Sequence, residues 1–250
     1  MRKFAGLAYC VVAGSRLAVD GRCALRGILL PAALLALHAC AQTGAAAQVP
    51  AGRSVAVEGF VPPGWKVEQR HTADLNRDGR EDALLVLAPA RPSPADGAGL
   101  SPPRVLAVVL GAPGGYVLAA SNTKLIPRVD STTQEDPLAD GEITVRPGGF
   151  DLKLTLMAGV GSYLSASLRY RFADRDGCFR LIGYDRLETH RATLDTRDVS
   201  IDFLSGEVVR TVGNAQSDAT TTRRERLAPN PRRCLQDLGS AAEFDPLEAR

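Results

Sequence analysis

A chain of 250 residues that is 45% hydrophobic and 23% charged has enough apolar material for one folded core, or at most two. The formal net charge of +2 is set by the N-terminus: five of the 30 basic and one of the 28 acidic residues precede position 41, leaving 25 against 27. That balance removes any general electrostatic basis for binding nucleic acid or an anionic membrane surface.

In chain order, the first feature is the apolar run from Ile28 to Ala39. It follows Arg22 and Arg26 and is succeeded by the small, polar stretch AQTGAAAQ. The run is too short to cross a bilayer and has the flanks of a secretory signal, so residues 1–40 are expected to be a signal peptide. Two exits are open. Leu37-His38-Ala39-Cys40 resembles the lipobox of bacterial lipoproteins, which would make Cys40 a lipidated first residue. Ala39-Cys40-Ala41 also satisfies the small-x-small rule for simple cleavage. Either way the protein is expected in the periplasm or anchored at the outer membrane, touching lipid only through Cys40.

Residues 41–58, rich in Ala, Gly and Gln, are expected to be a flexible tether. From there to residue 213 the pattern is β. Residues 82–88 read DALLVLA, too short for a typical helix, and the Pro- and Gly-rich stretch 91–103 reads as an exposed loop. Four hairpins follow. Residues 104–110 and 116–120 flank a turn at 111–115, and 142–146 and 150–156 flank Pro147-Gly148-Gly149. Residues 163–173 and 178–186 flank Asp174-Arg175-Asp176-Gly177, and 201–203 and 207–212 flank Ser205-Gly206. The expected fold is an all-β antiparallel meander, either a sandwich or a curved sheet like a single propeller blade, with little helix. Residues 214–250 read as an irregular tail with at most a short helix near 233–238. Outside the signal only Cys178 and Cys234 remain, and an oxidising compartment makes their pairing the expectation.

One motif carries chemistry. Asp74, Asn76, Asp78 and Asp82 occupy positions 1, 3, 5 and 9 of a loop, with Gly79 at position 6 and the carbonyl of Arg80 at position 7. This spacing turns alternate oxygens toward one centre, as a calcium ion requires. Position 12 is Leu85 rather than Glu and a strand follows, so the loop is not an EF-hand. The stretch DLNRDGREDALLVL instead resembles the calcium hairpin of FG-GAP/VCBS (integrin-type) repeats, where such a loop runs straight into an apolar strand. More loosely, residues 65–212 resemble a group of uncharacterised bacterial envelope proteins carrying one such loop. The resemblance implies one structural calcium held by Asp74, Asn76, Asp78, the Arg80 carbonyl and Asp82. The loop occurs once, whereas a propeller needs several blades.

No catalytic constellation accompanies it. His71 and His190 lie outside any HExxH pattern, the serines at 162, 165 and 167 fall in a strand rather than a GxSxG elbow, and the 111–115 turn has no phosphate-loop lysine. The expected function is therefore a non-enzymatic, calcium-stabilised envelope module that binds a protein partner or supports an assembly. A periplasmic hydrolase, or an inhibitor that neutralises a toxin, is the alternative.

Overall fold

The computed structural model describes residues 48–91, 100–129, 134–139, 141–157 and 164–247. The expected signal, Cys40 and Ser162 lie outside them. Within these residues the regular structure is almost all strand, in two antiparallel sheets.

The first sheet contains β1 (Arg53–Ser54), β2 (Trp65–Ala73), β3 (Asp82–Pro89), β4 (Val105–Ala112) and β5 (Gly115–Asn122), in the order β1-β5-β4-β3-β2. The second is a continuous meander. It runs through β6 (Glu142–Arg146), β7 (Gly149–Met157), β8 (Leu164–Arg175), β9 (Cys178–His190), β10 (Asp195–Asp202), β11 (Glu207–Asn214) and β12 (Ser217–Arg226). Each of the four expected hairpins is present, with strand ends displaced by a few residues.

The sheets meet through one apolar layer. Leu84, Val86, Leu106 and Val108 from the first sheet join Phe150, Leu152, Tyr170, Phe172 and Ile201 from the second in a single buried cluster. Two aromatic clusters fill this layer: Phe150 and Phe172 stack at 4.9 Å with Phe179 at 6.0 Å from Phe150, and Tyr170, Tyr184 and Phe244 pack within 5.6 Å of one another. Burying each such side chain contributes about 1.5–3 kcal/mol. The alternation expected for β8 holds, with Leu168, Tyr170 and Phe172 all inward.

The unbroken apolar run of β3 has a specific cause. Leu84 and Val86 face the inter-sheet core, whereas Ala83, Leu85 and Leu87 face a second cluster with Val49, Val57 and Phe60. A strand covered on both faces carries no polar alternation. This corrects the expected tether. From Val49 onward the segment packs on the first sheet, β1 pairs with β5, and a short 3-10 turn at Val57–Phe60 buries two apolar side chains.

The expected irregular tail is corrected too. β12 pairs with β11 along its length, although its side chains are almost all exposed and its Thr- and Arg-rich sequence gives no apolar signal. Further on, Leu235, Leu238 and Ala241 are buried in the main core, and Cys234 is buried beside them. The short helix expected near 233–238 is a 3-10 turn at Leu235–Asp237. Asn122 holds this strap by donating to the carbonyls of Leu235 at 2.7 Å and Leu238 at 2.9 Å. Cys178 and Cys234 are joined, as expected, with Cα atoms 5.9 Å apart.

Candidate metal loop

β2 and β3 pair up to Ala73 opposite Asp82, so the eight residues between them form the hairpin's loop. Its shape follows from short polar side chains that bond backbone ahead of them. Asp74 accepts the N–H of Asp78 at 3.0 Å and of Gly79 at 2.9 Å, and Asn76 accepts the same Asp78 N–H at 3.0 Å. Asp78 accepts the Arg80 N–H at 2.9 Å and the Arg80 guanidinium at 3.0 Å. Gly79 has φ +83°, the left-handed conformation that its place at the sharp turn requires.

Asp82 is placed differently from the other predicted ligands. It is fully buried, and its two carboxylate oxygens accept the N–H groups of Leu75 at the loop's start and Gly111 in β4, both at 2.7 Å. It thus closes the loop and fastens it to the neighbouring strand. Burial pushes its pKa up and the nearby charge of Asp78 adds to this, while the N–H groups of Gly111 and Leu75 pull it back. The pKa of Asp78 is held low, chiefly by the Arg80 N–H. Replacing Asp82 by Asn leaves only one acceptor oxygen for two buried N–H groups. Asp82→Asn is expected to lower stability by about 1–3 kcal/mol, measured as a shift of the urea midpoint with unchanged slope.

The loop also reaches the other sheet. The carbonyl of Asp74 accepts the N–H of Gly148 in the β6–β7 turn at 2.9 Å. Arg77 lies over that turn so closely that a Cβ on Gly148 would stand 2.5 Å from its Nε. That guanidinium can move aside, so it is the φ of +84° that requires glycine at 148.

The predicted metal residues are thus brought to one loop, all with oxygen donors. Among the described residues, no group of three or more His, Cys, Asp or Glu side chains stands close enough to hold a metal ion. The acidic oxygens are instead engaged by backbone N–H groups, each leaving a second lone pair free. The donors are all oxygens, the kind a hard cation takes, but five are fewer than the roughly six to eight that calcium gathers, so water would complete the set. Its fit depends on Asp78 exchanging the Arg80 guanidinium for the ion.

Other residues weighed in the sequence have structural settings. His71 contacts Gln69 at 3.2 Å on the outer strand β2, and burial lowers its pKa. His190 accepts the Thr193 N–H at 3.1 Å and closes the β9–β10 turn. Arg224 and Glu225 form cross-strand ion pairs with Glu207 and Arg210. Sequence reading missed the buried Arg104, and also a charged trough on β9, β10 and β11. Inward-facing charges on strands become visible only once the strand register is known.

A scan against family models, a search of curated proteins and a search of solved structures all returned no match to this chain.

Proposed function

We propose that the protein is an exported, non-enzymatic β module of the bacterial envelope whose 74–82 loop takes one structural calcium ion. The ligands would be Asp74, Asn76, Asp78, the Arg80 carbonyl and Asp82. The observation carrying the calcium reading is the ordered loop itself. Its side chains fold the backbone into successive turns around Gly79, and its acidic groups lie close enough for the charge of Asp78 to raise the pKa of Asp82. A divalent cation would relieve that repulsion. The Cys178–Cys234 bond supports export, because such bonds persist in oxidising compartments. A binding role is favoured over catalysis by the two described histidines, which serve a strand contact and a turn. The partner in this reading is another envelope protein, and a lipid on Cys40 would be the membrane contact.

An ion bound only by the folded state stabilises it by RT ln(1 + [L]/Kd), about 2.7 kcal/mol at a hundredfold excess over Kd. Extracellular sites of this kind have Kd values of order 10⁻⁴–10⁻³ M, so millimolar calcium is required. The melting temperature is expected to rise with calcium, return with chelator and become calcium-insensitive in Asp78→Ala. Magnesium should do little, because it demands a tight octahedron. A melting curve that ignores calcium up to several millimolar would show the loop to be a metal-free turn.

A further inference from the structure

Strands β9, β10 and β11 bring Tyr184, Ile201 and Val208 into one cross-strand row in the core. The next two rows on the same face are of another kind. Val199 stands between Arg186 and Arg210, and Arg197 stands between Glu188 and Val212. Together with Asp245, Pro246 and Leu247 from the C-terminal segment, these rows line a cavity of about 420 Å³. A second cavity of about 260 Å³ shares Arg186 and Glu188 and continues over Leu156 and Ala166.

Two buried donors of this trough have no acceptor. Tyr184 lines it, is 1% exposed, and has a hydroxyl whose proton finds no acceptor, its neighbour Arg186 being itself a donor. Burial, against the pull of neighbouring Arg186, pushes that hydroxyl up to about 12, so it is a donor at neutral pH. The Nε–H of Arg186 is likewise buried without an acceptor. Arg197 is exposed and makes neither a hydrogen bond nor an ion pair among the described residues.

Three acids line the cavity, Glu188, Asp198 and Asp245, but leave these two donors without an acceptor. Glu188 engages one terminal nitrogen of Arg186, and Asp245 acts on Arg186 and Tyr184 through its charge. Arg210 is already bonded to Glu225 at 2.6 Å. A buried donor without an acceptor costs about 1–3 kcal/mol, and a ligand that supplies the acceptor recovers it. Beside these donors lie apolar surfaces of Val199, Val212 and Leu247, Val212 being 49% exposed. Apolar walls with a few convergent polar groups are the usual make-up of a small-ligand site.

We propose that this trough binds an organic carboxylate with an apolar body. The carboxylate is taken by Arg197 and the Tyr184 hydroxyl, and the body lies on Val199, Val212 and Leu247. The carboxylate belongs either to a free acid or to an acidic residue of a partner's peptide. The site goes beyond the calcium reading and does not depend on it, since its residues lie on β9, β10, β11 and the C-terminal segment.

Calorimetric titration of the folded chain with 4-phenylbutyrate, its neutral amide 4-phenylbutyramide, and the peptide N-acetyl-leucyl-leucyl-glutamate tests this, run in chelator so that calcium plays no part. At least one carboxylate should bind and the amide should not. Arg197→Glu should weaken binding about tenfold or more, as expected for a lost bond to a charged group. Tyr184→Phe should weaken it several-fold while melting about as wild type, because it removes a buried donor that has no acceptor. Lys66→Glu, the same charge change on β2, should leave binding unchanged. The tighter of the two carboxylates identifies the source. Absence of binding by either acid at millimolar concentration, equal binding of the amide, or binding untouched by both trough variants would overturn the proposal.

Discussion

Replacing Arg104 by Met should lower stability by about 3–5 kcal/mol, the usual consequence of removing one partner from a buried charge cluster. For a domain of this size that is a drop in melting temperature on the order of 10 °C. Arg104 is 7% exposed. Its guanidinium donates to Glu68 at 2.6 and 2.9 Å and to Asp136 in two bonds of 2.6 Å. Glu68 sits at a bulge in β2, between Val67 and Gln69, where the pairing with β3 skips one residue. Bulges redirect side chains in this way. Without the arginine, two half-buried carboxylates face each other with nothing between them. A triple variant, Arg104→Met with Glu68→Gln and Asp136→Asn, should recover most of the loss.

The same cluster shapes the acid limb of stability. Burial pushes the Asp136 pKa up, but the Arg104 hydrogen bonds, the Leu138 N–H and the Arg104 charge pull it further down, leaving it below its ordinary value. A lowered native pKa gives stability that is complete above the unfolded value near about 4 and is lost as pH falls through the native one. Wild type should therefore lose this contribution below about pH 4. Arg104→Met should lose most of that limb, because burial, the largest influence on Asp136, is then opposed only by the Leu138 N–H. Chemical denaturation at a series of pH values distinguishes the two profiles.

Cys178→Ala with Cys234→Ala should cost about 3–4 kcal/mol on the chain-entropy argument, given a separation of 56 residues. The bond does more than close a long loop. It holds the strap that covers the core, where Leu181 donates to the Arg233 carbonyl at 2.8 Å and Cys234 bridges to Arg180. Thermal melts with and without reductant should therefore converge. Reduced wild type is expected to melt with the double variant, and the variant itself should ignore reductant. Identical melting of oxidised wild type and variant would show that packing of Leu235 and Leu238 holds the strap unaided.

The sheets were legible where local chemistry repeats. Turn residues at Pro147-Gly148 and Ser205-Gly206 mark hairpins, and the alternation of β8 marks its buried face. What stayed hidden depends on distant partners. β12 reads as polar tail because no side chain of Ser217–Arg226 is fully buried and its order comes from backbone pairing to β11. The segment around Val49 lacks periodicity because it covers a sheet face rather than extending a ladder. The loop's spacing was legible down to each Asp, but the inward turn of Asp82 was not. It depends on the Gly111 N–H, 29 residues away.

The packing of Val49, Val57 and Phe60 on the first sheet also sets a leash. A tether running to residue 58 would allow the body to stray about 60 Å from a lipid on Cys40, at the chain's greatest extension per residue. With the chain fastened from Val49, the proposed lipid on Cys40 could lie at most about 30 Å from that point. A protein anchored as proposed would patrol a shell next to its own membrane, and whatever it met would have to come within that shell.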